Sequence, residues 1–225
     1  MKAMVLAAGR GERLRPLTDT LPKPLLEVDG QPLIERLIQQ LVEQGFEELV
    51  INTAWLAELI EHRLGDGRRL GAKIRYSREP EGALGTAGGI HNALPLLGQA
   101  PFIVVNGDVS TDFPFSTLRG RPAKLAHLVL IDNPEHVPNG DFALQGERLM
   151  NTGDDTFTFS GIGVYRPELF NEVEARKSAL APLLRTVAAQ NLITGEHFRG
   201  RWVDVGTPKR LQQLAEWMRS KAGCG

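Results

Sequence analysis

A single cysteine, Cys224, stands among 225 residues, and it sits in a Gly/Ser/Lys-rich terminal stretch. That excludes a disulfide framework, a cysteine-ligated zinc site and a thiol nucleophile. No window of about 18 apolar residues occurs, and the first residues lack a secretory pattern. Neither sign of charge is in excess. The 26 Lys and Arg against 27 Asp and Glu argue against wrapping nucleic acid or lying on an anionic membrane. The five histidines, His62, His91, His127, His136 and His197, show no metal-ligand spacing such as H-E-x-x-H. The three tryptophans are scattered and offer no stacking platform for bases. These absences leave the expectation of a cytoplasmic, soluble protein with no membrane and no nucleic-acid partner.

The 42% hydrophobic content is enough for a sizeable core, and the length suits one domain spanning 1–225. Strands are expected at 2–6, 48–52, 73–77, 102–106 and 125–131. Helices are expected at 32–44, 54–64, 86–97 (kinked or ended by Pro95), 179–190 and from Pro208 onward. In the last of these, Leu211, Leu214, Ala215 and Met218 share the inward face. Alternating strands and helices imply an α/β three-layer sandwich with a mainly parallel central sheet. Residues 133–165 are richer in turn residues and short alternating strands. They read as a small antiparallel excursion over the mouth of the sheet, the natural place for a substrate-selecting element. GRWVDV reads as a last strand, and 219–225 as a flexible tail.

The most informative stretch is 6–26, LAAGRGERLRPLTDTLPKPLL. An apolar strand breaks into Ala7 and Ala8, then into a turn in which Gly9 and Gly11 flank Arg10, followed by Glu12 and the cations Arg13, Arg15 and Lys23. Small residues let backbone N–H groups approach phosphate oxygens, and successive amides in a turn make an anion nest. The dinucleotide fingerprint is excluded because its third glycine position holds Leu14. The Walker pattern G-x-x-x-x-G-K-S/T occurs nowhere. Lys23 stands between two prolines, which restrict the backbone and help aim its side chain.

Two carboxylates are candidates for chemistry. Asp108 follows the apolar run FIVVNG, at the carboxyl end of a strand, although Asn-Gly is also a hairpin turn that would simply leave it solvated. Asp204 lies in RWVDVGTP, where an edge-strand carboxylate or a helix-start partner is the plain alternative. Together they suit Mg²⁺, which prefers one or two carboxylates plus phosphate oxygens. His62 reads as solvated and His127, inside an apolar strand, as a hydrogen-bonded core residue. Ser160 could contact a sugar or satisfy a strand end.

The string L-A-A-G-x-G-x-R-L-x-P-L-T followed by P-K-P-L resembles the signature of the sugar-nucleotide nucleotidyltransferases, which join a sugar 1-phosphate to a nucleoside triphosphate. That resemblance implies a Rossmann-like fold, with Asp108 and Asp204 holding the catalytic metal and Arg13 and Lys23 on the phosphates. It implies nucleotide contacts from Ala8, Gly9, Arg10, Gly11, Glu12 and Arg13, with the base near the turn Gly85, Thr86, Ala87, Gly88. An E-K-P segment seen in many thymidylyltransferases of the family is absent. NPEHVPNGDF, FTFSGIGVYRPELF, LAPLLR and GEHFRGRWVDVGT instead look like the uridylyltransferases that act on N-acetylmuramate 1-phosphate in cell-wall recycling. On that comparison UTP is the expected nucleotide, and Asn106 and Asp141 contact the sugar phosphate. Asp141 could equally be a surface Asn-Gly-Asp turn. The alternatives are a mannose- or glucose-1-phosphate nucleotidyltransferase using GTP or dTTP, and a nucleotide-sugar sensor without catalysis.

Overall fold

In the computed structural model, residues 1–80, 84–121, 124–174 and 176–222 are described. The chain opens with β1 (Ala3–Leu6), a phosphate-loop region of three short 3-10 turns, and a small hairpin of β2 (Glu27–Val28) and β3 (Gln31–Pro32). There follow α1 (Leu33–Glu43), β4 (Glu48–Thr53), α2 (Ala57–Leu64), β5 (Lys73–Arg78), α3 (Gly85–Leu97), β6 (Phe102–Asn106) and β7 (Val109–Thr111). The second half supplies β8 (Ala126–Ile131), β9 (Phe142–Gln145), β10 (Arg148–Met150), β11 (Thr156–Tyr165), α4 (Leu180–Ala189), β12 (Ile193–His197), β13 (Trp202–Asp204) and α5 (Pro208–Ala222).

Nine strands form the central sheet in the order β5-β4-β1-β6-β11-β8-β12-β10-β9. The first four run parallel, and β12 is parallel to β8; β11 lies antiparallel between β6 and β8. The period-2 alternation of a strand sends Ala3 and Val5 to one face and Met4 to the other. The first face packs under α1 and α2 through Ile34, Ile38, Leu41, Ile60 and Leu64; the second under α3 and α4 through Ile90, Leu97, Leu180 and Leu184. A third cluster joins Leu14 and Leu26 of the phosphate-loop region to Val205 and Leu214, with Leu211, Ala215 and Met218 beside them. Thus α5 lays its apolar face against the loop and fixes its outer side.

Four readings depart from expectation. The second helix begins at Ala57, not at residue 54, because Leu56 adopts a left-handed conformation (φ 51°) that an α-helix does not continue through. Pro95 does not end α3, which continues two residues past it to Leu97 before the Gly98 cap. The strands of the 133–165 excursion do not stand apart over the sheet. β9 and β10 pair with β11 and β12 and so extend the main sheet, covering backbone groups that an edge would expose. Residues 219–222, expected in the tail, continue α5, and the rest of that tail lies outside the described residues.

Candidate active site

β1, β4 and β6 end side by side, with Leu6 in register with both Asn52 and Asn106. Beyond these carboxyl ends opens a cleft of about 620 Å³. Its lining includes the glycine-rich loop, Ala8, Gly9, Gly11, Glu12 and Arg13, together with Lys23 and Pro24. Within the loop, the carbonyls of Gly11 and Glu12 accept from Leu14 and Arg15 N–H groups, and Thr18 Oγ1 donates to Gly11 O at 2.9 Å. Among the described residues, the N–H groups of Gly9, Gly11 and Glu12, three residues that line the cleft, donate to no acceptor. Arg10 does not line the cleft. Its guanidinium lies 4.0 Å from the Trp55 ring centroid and 3.7 Å from Asp19 Oδ1.

The cleft is braced by a buried chain of hydrogen bonds that the sequence reading missed. Asn52 Oδ1 accepts the Ala7 N–H at 2.8 Å, and Asn52 Nδ2 donates to Glu79 Oε1 at 2.6 Å. Glu79 Oε2 then accepts the Leu84 N–H at 2.6 Å, just ahead of Gly85 and Thr86 on the cleft wall. A signal for Asn52 was present: two apolar strands, LVIN and FIVVN, both end in asparagine at neighbouring strand ends.

Asp108 and Asp204 are brought together by the antiparallel ribbon of β7 and β13, in which Asp204 is opposite Val109 and Val205 N–H donates to Asp108 O at 2.8 Å. Lys23 is ion-paired to Asp108. Arg210, on the first turn of α5, reaches Asp204 Oδ1 at 2.6 Å, and His136 Nε2 lies 3.4 Å from the same oxygen. Burial pushes the Asp204 carboxyl above the usual carboxylate range; Arg210 and His136 oppose that shift and the Asp108 charge adds to it. Two carboxylates at the ends of one ribbon, faced by cations, are hard oxygen donors of the kind a divalent ion takes.

A second chamber of about 420 Å³ opens from the same place, sharing Gly85, Thr86 and Asn106 with the first. Asn106 is held at this junction by the irregular step in β11, where Gly161 has φ +77° and a Cβ there would fall 2.4 Å from Asn106 Nδ2. Asp141 lines the second chamber, so it is no mere surface turn, and its Oδ2 accepts the Phe159 N–H at 2.9 Å. Ser160 serves the strand: Oγ donates to Val129 O at 2.6 Å and accepts from Ile162 N–H at 3.2 Å, with the residue 1% exposed. His127 is buried against Thr194, its Nδ1 2.8 Å from Oγ1, and His62 is exposed. Lys177 and Arg185 also line the second chamber; LAPLLR, which ends at Arg185, carried part of the resemblance, but neither residue was given a role.

Among known proteins, the family model described as nucleotidyl transferase matches residues 2–142. The chain is 53% identical to the N-acetylmuramate alpha-1-phosphate uridylyltransferase of Neisseria meningitidis serogroup B over 95% of its own length and 96% of the relative's. It is 32% identical to the Caulobacter vibrioides enzyme of the same name, over 92% of each chain. A Bacillus anthracis crystal structure, described as a glucose-1-phosphate thymidylyltransferase in complex with sucrose, superposes with a TM-score of 0.86 over 97% of this chain and 95% of that one. At 21% identity that likeness is one of fold.

Proposed function

Because the chain belongs to the nucleotidyl transferase family, we propose that it joins UTP to N-acetylmuramic acid 1-phosphate, giving UDP-N-acetylmuramic acid and pyrophosphate. The observation that carries this reading is the pair of chambers meeting at Asn106, Gly85 and Thr86, one lined by phosphate-type donors and the other of a size for a sugar. The identity to uridylyltransferases of that substrate supports the choice of base and sugar.

In this mechanism the triphosphate rests on the Gly9–Glu12 amides with Arg13 and Lys23 beside it, and the base lies against Gly85 and Thr86 near Ala8. Asn106 meets the sugar phosphate, and the ring enters the second chamber, where Asp141 has one carboxylate oxygen left to accept a hydroxyl. A sugar-phosphate oxygen attacks the α-phosphorus, and the bond to pyrophosphate breaks. A phosphate monoester has its second pKa near ~6, so the nucleophile is already ionised at neutral pH and no general base is required. Asp108 and Asp204 would hold Mg²⁺, which supplies neutralisation of charge on the phosphate oxygens and the leaving group. The protein's own part is to orient both substrates and to set fixed donors where charge develops.

A pyrophosphate-release assay crossing the four ribonucleoside triphosphates and dTTP with a panel of sugar 1-phosphates tests this. UTP with the muramic substrate is expected to exceed UTP with glucose 1-phosphate by at least ~10²-fold, within reach of one or two mispaired polar contacts. Equal turnover of glucose or mannose 1-phosphate overturns the sugar assignment, and full activity after metal chelation overturns the role given to Mg²⁺.

A further inference from the structure

The second chamber holds two cations that the transfer of the nucleotidyl group does not use. Lys177 and Arg185 both line it, away from the Asp108 and Lys23 end of the cleft. Arg176, next to Lys177 in the chain, is matched with an acid, reaching Glu174 at 3.0 Å. Lys177 and Arg185 have no carboxylate partner among the described residues. The Arg185 guanidinium instead lies 5.5 Å from the Phe142 ring centroid, against an apolar wall.

Both are set in place by the backbone. Ser178 O accepts the Ala87 and Gly88 N–H groups at 3.1 and 3.3 Å, and Ser178 N–H donates to Leu84 O at 2.8 Å. This close approach requires glycine on α3: a Cβ on Gly85 (φ +69°) would fall 2.7 Å from Ser178 O, and one on Gly88 2.6 Å from Arg176 O. Lys177 therefore projects from a segment pinned to the helix start that both chambers share. Arg185 lies one turn after Ala181 on α4, on the same face. Asn151 Nδ2 donates to Arg185 O at 2.9 Å and ties that turn to the β10 end.

We infer that Lys177 and Arg185 form a carboxylate-binding end of the second chamber, selecting sugar 1-phosphates that carry an anionic ring substituent. The inference rests on the reading of that chamber as the sugar site. Both cations are exposed at the rim of the chamber, beside Phe142, Phe159 and Leu180, where a carboxylate entering with the sugar gains charge-assisted hydrogen bonds from an ammonium and a guanidinium. Asp141 cannot serve an anion, and the substrate's own phosphate is engaged at the Asn106 end. In a muramic sugar the lactyl carboxylate hangs from C3, across the ring from the anomeric phosphate, which directs it away from that end.

Steady-state kinetics with UTP provides the test, comparing N-acetylmuramic acid 1-phosphate with N-acetylglucosamine 1-phosphate, which lacks only the lactyl ether. The parent is expected to favour the muramic substrate. Lys177→Ala and Arg185→Ala should each lower the ratio of kcat/KM between the two sugars by about 10-fold, and the double variant by about 10²-fold, chiefly through the muramic KM. Lys177→Arg should keep most of that ratio. Titration calorimetry of each sugar phosphate with the variants should show the same selective loss. Variants that weaken both sugars equally, or neither, overturn the inference and leave the transferase reading intact. A parent that prefers the N-acetylglucosamine substrate overturns the sugar assignment itself.

Discussion

The two chambers are built from different materials. The first chamber stands on parallel strands β4, β1 and β6, and much of its lining is small residues that expose backbone: Ala7, Ala8, Gly9, Gly11, Gly107 and Gly206. The second chamber stands where the sheet turns mixed, and its lining is side chains: Asp141, Phe142, Phe159, Lys177, Leu184 and Arg185. Phosphates present the same oxygens whatever nucleotide carries them, so main-chain donors suffice, and the bracing chain from Asn52 through Glu79 to Leu84 fixes them. Sugars differ in their substituents, and only side chains can be exchanged to read them. On this view one chamber carries the chemistry and the other the choice.

The largest effect expected of that division lies at the ribbon of β7 and β13. Asp108→Asn and Asp204→Asn should each lower kcat by about 10²–10³-fold with every sugar tested, because loss of a carboxylate there weakens charge stabilisation whatever the substrate. Thermal melting should stay near the parent's. Near-normal turnover in both variants breaks the assignment of chemistry to this chamber.

A contrast of KM values sharpens the comparison. Lys23→Ala should lower kcat/KM for both substrates, while Asp141→Ala should raise the sugar-phosphate KM by about 10-fold and leave the UTP KM near the parent's, as one lost hydrogen bond does. Asp141→Asn, which retains an acceptor for the Phe159 N–H, separates sugar contact from support of β11. An equal rise in both KM values on Asp141→Ala would merge the two chambers into one functional unit.

The smallest effect concerns the frame around the nucleotide side. Burial alone would raise the Glu35 carboxyl, but Arg69 and Arg63, each 2.6 Å from Oε1, hold it below its usual value. Glu61 is likewise held down, first by its hydrogen bonds from Arg78 and against the cost of burial. Both carboxyls bind protons less readily folded than unfolded. Their stabilisation is therefore present above the ordinary carboxylate value of 4.5 and is lost as pH falls below it toward their lowered folded values. Melting scans from pH 7 to pH 3 should show Tm falling, with Glu35→Gln reducing that fall by roughly 2–4 °C. An unchanged pH slope in Glu35→Gln would show that the pairs are without consequence.

Much of this was legible in the residues alone. Apolar periodicity marked β1, β4, β5, β6, α1 and the inward face of α5, because local period and burial agree wherever an element faces a core on one side. That the glycine loop, Arg13 and Lys23 border a cleft at the end of β1 was readable because a turn needs small residues at short spacing, and that pattern is local in sequence. Leu56 was not legible: nothing local favours a left-handed leucine, which here follows Trp55, whose Nε1 donates to Thr18 O, 37 residues away in the chain. Arg10 was read with the phosphate loop, yet the Trp55 ring and Asp19 draw it aside.

By itself the sequence determined that this is an alternating α/β chain with a glycine-rich, cationic turn at the end of its first strand and two carboxylates in or after later strands. Only the tertiary structure decided that Asp108 and Asp204, 96 positions apart, meet across a two-stranded ribbon. It also decided that the 133–165 strands complete the sheet, and that Lys177 and Arg185 face the same space as Asp141. The reason is physical. Periodicity and turn chemistry act over a few residues, whereas a site is made where distant strand ends converge, and which ends converge is settled by the burial of both sheet faces and the pairing of every edge.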